Sequence, residues 1–195
     1  MKIAKLKCND DDDEDCDYEK LKNQIRVVHN NVYFYSRVSC QSVLELNIKL
    51  EEVQQSILNK SLSEQDINVY IHSGGGDLYA GISAMNYIES MKVHVNTIID
   101  GYVASAASLI ALGGHTVYMN KYGILLIHQI SSGFYGKYNE FVDEFDNTKL
   151  SMRMMKTIYE DKTKIPKDIL DQYLKKDIYI DSKICKQYKI IDKIF

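Results

Sequence analysis

Three segments of this chain concentrate residues able to do chemistry. The first, Ile71 to Asp77 (IHSGGGD), is an apolar, β-prone run that breaks into three successive glycines. Such a turn aims bare backbone N–H groups at any negative charge set against it, although it also serves as a sharp turn and nothing more. A phosphate loop is not supported, because neither G-x-x-x-x-G-K-[ST] nor G-x-G-x-x-G is present. The second segment, Gly101 to Gly114 (GYVASAASLIALGG), sets two serines where a glycine turn enters a run of small residues. A serine at a helix entrance sits beside free N–H groups and the positive end of the helix dipole, which stabilise developing negative charge. Ser105 lies at the turn and Ser108 one turn inside; A-S-A-A-S is also a pattern for close helix packing. The third segment is Ile124 to Gly136 (ILLIHQISSGFYG), in which His128 ends a strand of four apolar residues. A histidine there is either a general base or a satisfied core residue. Of the other histidines (29, 72, 94 and 115), only His72, just before the glycine turn, rivals it.

Those side chains need a frame to hold them. All ten glycines fall between Gly74 and Gly136, so the tight turns and the site belong to the middle third of the chain. Strand and helix signals alternate around them. Val32 to Tyr35, Ile67 to Ile71, Val93 to Ile98, Thr116 to Met119 and Ile124 to Ile127 read as strands. Val43, Leu46, Leu50, Val53 and Ile57 recur at helical spacing, as do Leu78, Ile82, Met85, Ile88 and Met91. A third helix is expected over Ala104 to Leu112. A long fourth runs from Lys137 to roughly Asp161, with Phe141, Phe145, Met152, Met155 and Tyr159 among its apolar positions. Pro166, the sole proline, suits the first turn of another short helix. The alternation predicts an α/β layer fold with mostly parallel strands.

The charge is unevenly spread. Residues 9–19 hold eight acids and no base, so although the chain totals −3, its remainder is net basic. So dense a block of like charge predicts a self-repelling, disordered segment over 1–25 ahead of one folded domain over 26–195. The four cysteines include no C-x-x-C pair and read as reduced thiols rather than a disulfide frame or zinc site. No apolar run is long enough for a membrane span, no signal peptide is visible, and the modest basic excess gives no case for nucleic acid. A soluble intracellular protein without a cofactor or metal is the expectation.

In this order, H-S-G-G-G, G-Y-V-A-S-A-A-S and L-I-H-Q resemble the motifs of the Clp proteolytic-subunit family, and the resemblance covers about Val32 to Ile194. It implies a crotonase-like (ClpP-type) α/β fold of stacked ββα units with a protruding handle helix. It further implies a serine endopeptidase with Ser105 as nucleophile and His128 as base. Matching backwards from Tyr188 and Asp192 in the closing KKDIYIDSKICKQYKIID puts Asp177 on the family's acid, with Asp181 and Asp171 as competitors. The resemblance assigns backbone N–H groups of Gly76 and Ala106 to an oxyanion hole, and has the segment after His128, including Gly133, pair with an extended peptide. It implies polypeptide substrates, self-association into heptameric rings, and a hexameric ATPase unfoldase, with Tyr70 matching an aromatic of the docking pocket.

The chain departs from the pattern in places. Glycine replaces the usual proline at 74, Lys175-Lys176 replace an acidic-basic pair, and the Ser105–His128 interval is shorter than in housekeeping subunits. That short interval, together with the run S-A-A-S-L-I-A-L-G-G, is more like the head-maturation proteases of bacteriophages. A catalytically silent structural subunit and a crotonase-type acyl-CoA enzyme are the other readings. The chemistry itself agrees with the resemblance: serine needs a base within reach and an acid to orient that base. Each oxyanion donor is worth about 3–4 kcal/mol.

Overall fold

A computed structural model describes residues 25–59 and 65–195. The expectation for the acidic segment 1–25 therefore falls, apart from Ile25, outside the described residues. The chain opens with β1 (Arg26–Val28) and β2 (Asn31–Phe34), an antiparallel pair, and continues into helix α1 (Cys40–Asn59). Then come β3 (Ile67–Ser73), α2 (Leu78–Glu89), β4 (Val95–Ala104), α3 (Ala106–Leu112), β5 (Thr116–Met119) and β6 (Ile124–Leu126). The last part holds α4 (Tyr138–Lys162), α5 (Lys167–Leu174), β7 (Tyr179–Asp181), α6 (Ser182–Gln187) and β8 (Lys193–Ile194).

The strands form one sheet in the order β1-β2-β3-β4-β5-β8, parallel from β2 onward. β4 is the hinge of the design. Its first half (Asn96 to Ile99) pairs with β5 and its second half (Tyr102 to Ala104) with β6. β6 in turn pairs antiparallel with β7. One long strand thus serves two short ones and carries its C-terminal end out to where the site lies.

Burial follows the sequence pattern. β3 turns Ile67, Val69, Ile71 and Ser73 inward, and α1 buries Val43, Leu46, Leu50, Val53 and Ile57. Each large aliphatic side chain so buried contributes about 1.5–3 kcal/mol. All seven residues of α3 are buried. Its small side chains matter, because a Cβ on Gly81 of α2 would lie 2.7 Å from the Ala106 carbonyl oxygen. Helices that approach so closely leave room for little beyond glycine and alanine.

Several boundaries differ from expectation. The third helix starts at Ala106; Ala104 ends β4, and the turn between them is Ser105. Lys137 caps α4 from outside, its N–H donating to Glu140 Oε2 at 2.8 Å. Pro166 is the N-cap of α5, just before its first turn. Phe141 and Phe145 are exposed, and α4 buries only Ser151, Met155 and Tyr159, toward its C-terminal end. The short strands β1, β7 and β8 carry no periodic signal. No helix among the described residues is long and apolar enough to cross a membrane.

Candidate active site

Ser105 stands at the junction of β4 and α3 with φ 54° and ψ −131°, a conformation an L-residue adopts only under constraint. Its N–H donates to the Leu126 carbonyl at 2.9 Å, tying the junction to the end of β6. The β4–β6 register sets Ala104 beside Leu126; carried two residues further, it brings position 106 beside 128. The C-terminal ends of two adjacent parallel strands therefore deliver Ser105 and His128 to one cavity of about 330 Å³, which Gly74, Gly76 and Ala106 also line. Parallel sheets bind ligands at that end of their strands.

The second pairing of β6 places the carboxylate. Leu126 lies opposite Tyr179 in the antiparallel register, so two residues on His128 faces Asp177. The Gln129 N–H reinforces this, donating to the Leu174 carbonyl at 2.8 Å. His128 Nδ1 lies 3.5 Å from Asp177 Oδ1, with the aspartate side chain 80% exposed and the imidazole 26%. That separation is an ion-pair contact, too long for a good hydrogen bond. Among the described residues no hydrogen bond joins Ser105 Oγ to His128, so this conformation holds the three groups near one another without closing the relay. Tyr102, edge-on to Tyr179 at 5.9 Å, stands close by. Burial, then Tyr179 and Asp177, push its phenol above the ordinary tyrosine range.

The competing residues are engaged elsewhere. Asp181 Oδ1 accepts the Ile184 N–H at 2.9 Å and so caps α6. Asp171 pairs with Lys156 at 2.6 Å, and that lysine holds its carboxyl below the usual range. His72 Nδ1 accepts the Tyr102 N–H at 3.3 Å, its ring lies 5.4 Å from Tyr35, and it does not line the cavity. Ser108 is 2% exposed, beneath the junction.

The glycine turn packs directly on the serine. A Cβ at Gly75 (φ 90°) would lie 2.7 Å from Ser105 Cβ. Val38 pairs with the turn on one side: its N–H donates to the Gly75 carbonyl, and its carbonyl accepts the Asp77 N–H, both at 2.9 Å. Strand alternation turns the intervening Gly76 N–H to the other side. The Ala106 N–H, at the first position of α3, has no acceptor within its helix. A constrained hydroxyl, a base facing a carboxylate, and two N–H groups outside regular pairing are the parts needed for nucleophilic acyl transfer.

Gly133 lies exposed in the irregular segment 127–137 and outside the cavity lining; Gln129, Ile130 and Ser131 form that wall. The sequence did not single out Arg37, Leu78, Leu109, Ile130 or Met155 as site residues, and they complete the cavity. Leu109 and Met155 carry the same helical spacing as core residues. Arg37 is placed by the neighbouring Val38–Gly76 bridge, which only the fold discloses.

The chain matches the Clp protease family profile over residues 29–195. It is 35% identical over 162 residues to ATP-dependent Clp protease proteolytic subunit 2 of Treponema denticola, covering 77% of this chain and 78% of that protein. It is 28% identical over 172 residues to the ATP-dependent Clp protease proteolytic subunit of Ostreococcus tauri, covering 84% and 86% respectively. In three dimensions it is similar to a mutant of ClpP1 from Listeria monocytogenes, with a TM-score of 0.73 at 20% identity, covering 91% of this chain and 94% of that one. The split strand β4, its flanking helices and that likeness make the fold α/β of the ClpP type, as expected. With the match spanning nearly all of the folded chain, the protein belongs to the Clp protease family.

Proposed function

We propose that this chain is a serine-type endopeptidase, a proteolytic subunit that hydrolyses peptide bonds through Ser105, His128 and Asp177. Ser105 Oγ attacks the scissile carbonyl carbon while His128 takes its proton, and Asp177 orients and stabilises the resulting imidazolium. The backbone N–H groups of Gly76 and Ala106 stabilise the tetrahedral oxyanion. His128 then returns the proton to the leaving amine, and water repeats the sequence on the acyl-enzyme. Substrate backbone lies along the segment that includes Gly133. The observation that carries this reading is the position of Ser105: a constrained serine between β4 and α3, opening into one cavity with His128, whose other face meets Asp177.

In this reading the subunits close into heptameric rings around a chamber, and polypeptide enters from a hexameric ATPase unfoldase. The aromatic group of Tyr33, Tyr35, Tyr70 and His72 is the docking ground, with Tyr33 and Tyr70 stacked at 5.1 Å. A catalytically silent subunit is the second reading, favoured by the open Ser105–His128 pair alone. A serine-reactive fluorophosphonate separates the two. Peptide mapping should find the label on Ser105, with parallel loss of fluorogenic-peptide turnover. A folded assembly that takes no label, or takes it on another residue, contradicts the proposal.

A further inference from the structure

Beneath the junction lies a buried pair of hydroxyls that the proposed mechanism does not use. The Ser105 carbonyl accepts two hydrogen bonds from one residue: the Ser108 N–H at 2.9 Å and the Ser108 hydroxyl at 2.5 Å. Ser108 Oγ also lies 2.5 Å from the Tyr159 hydroxyl. Proton counting fixes the direction. A carbonyl only accepts, and serine has a single hydroxyl proton, so that proton goes to Ser105 and Tyr159 donates to Ser108. Burial pushes the Tyr159 phenol up to about 12, so it keeps its proton throughout the neutral range. Tyr159 is itself held, because its own carbonyl accepts the Thr163 N–H at 3.0 Å and the Thr163 hydroxyl at 2.6 Å.

The carbonyl gripped in this way belongs to the same rigid peptide unit as the Ala106 N–H. A trans peptide is planar, with its C=O and N–H pointing in opposite directions. Fixing the Ser105 carbonyl therefore fixes where the Ala106 N–H points. Something has to fix it, since a residue at φ 54° and ψ −131° relaxes by rotating that plane once its ties are cut. Hydrogen bonds into the carbonyl also polarise the peptide and make its N–H a better donor. We propose that Ser108 and Tyr159 are positioning residues, forming a hydroxyl relay from helix α4 that holds the Ala106 N–H in register for the oxyanion. Neither lines the cavity, so neither touches substrate. The inference rests on the reading of Ser105 and Ala106 given above.

The test uses the assembled full-length chain and a fluorogenic peptide, with four variants: Ser108→Ala, Ser108→Thr, Tyr159→Phe and the double variant Ser108→Ala/Tyr159→Phe. Loss of a whole oxyanion donor costs about 100- to 1,000-fold in kcat, so a donor that is merely loosened should cost about tenfold. Ser108→Ala should therefore lower kcat about tenfold with KM within about twofold, since the ground-state complex does not use the oxyanion hole. Affinity for a peptide boronate, which mimics the tetrahedral state, should fall in step with kcat. Tyr159→Phe should lower kcat about threefold in the wild type and not at all in the Ser108→Ala background, because it acts only through that serine. Ser108→Thr restores the hydroxyl and should recover most of the loss. Unchanged kcat in Ser108→Ala, or an equal effect of Tyr159→Phe in both backgrounds, overturns the relay. If Ser108→Ala does not fold, Tyr159→Phe with normal kcat overturns it alone. Ser105→Ala, run alongside, separates the two ideas: turnover above about one hundredth of the wild-type rate there contradicts the proposed function, whatever the relay does.

Discussion

A methyl group added at residue 75 or 76 meets backbone at once. At Gly75 an added Cβ would lie 2.6 Å from the Ala104 carbonyl oxygen, and at Gly76 it would run into the Val38 carbonyl. Both residues also hold φ values, 90° and 148°, that L-residues rarely adopt. Gly74, by contrast, has open space around it and no positive φ. Gly76→Ala should therefore cost at least about 1–3 kcal/mol and stop peptide turnover, while Gly74→Ala should change stability by less than about 0.5 kcal/mol. Denaturant midpoints check both. At this scale the sequence was legible as motif. H-S-G-G-G and A-S-A-A-S mark the turn and the helix entrance, because Gly75 and Gly76 hold positive φ against backbone and the helix that follows is packed closely by Gly81. It did not say that Ser108 turns inward to the Ser105 carbonyl, since two serines three residues apart look alike until the helix start is known to one residue.

Short elements were the least legible part of the fold. β7 and β8 have three and two residues, too few to display a period. Yet β7 decides which acid meets His128, since its register with β6 sets position 177 opposite 128 and leaves Asp181 at the start of α6. The two aspartates should respond differently to substitution. Asp177→Asn should lower kcat by at least about a hundredfold with little change in stability, because the base loses its orienting charge. Asp181→Ala should cost about 1 kcal/mol as a lost helix cap. Kinetics and thermal melts on both variants check this, and the opposite pattern would move the acid to Asp181. The longer elements were read correctly because α1 and β3 repeat their signals over many residues. α4 was read from its spacing, which does not tell which of its apolar positions are buried. Its phenylalanines follow helical spacing, but they lie on a surface, and an apolar stripe for a partner uses the same spacing as one for the core.

That stripe is the main feature at the scale of the whole molecule. Phe134, Tyr138, Phe141, Val142 and Phe145 are all at least 42% exposed, and Phe134 and Phe141 meet edge to face at 5.2 Å. A row of large apolar side chains along one helix and the segment just before it suits burial against other copies of the chain. In the proposed ring assembly the native mass should be about seven or fourteen times the 22.5 kDa of one chain, and Phe145→Asp should reduce it. Light scattering on both proteins checks this, and a stable wild-type monomer would contradict the ring. Catalysis in the proposed mechanism depends on one oxygen atom. Ser105→Ala removes it while leaving the fold and the native mass unchanged, so the most direct measurement is fluorogenic-peptide turnover by that assembled variant against the wild type. The expected result is less than about one hundredth of the wild-type rate; an assembly that keeps more than that would show that Ser105 is not the nucleophile.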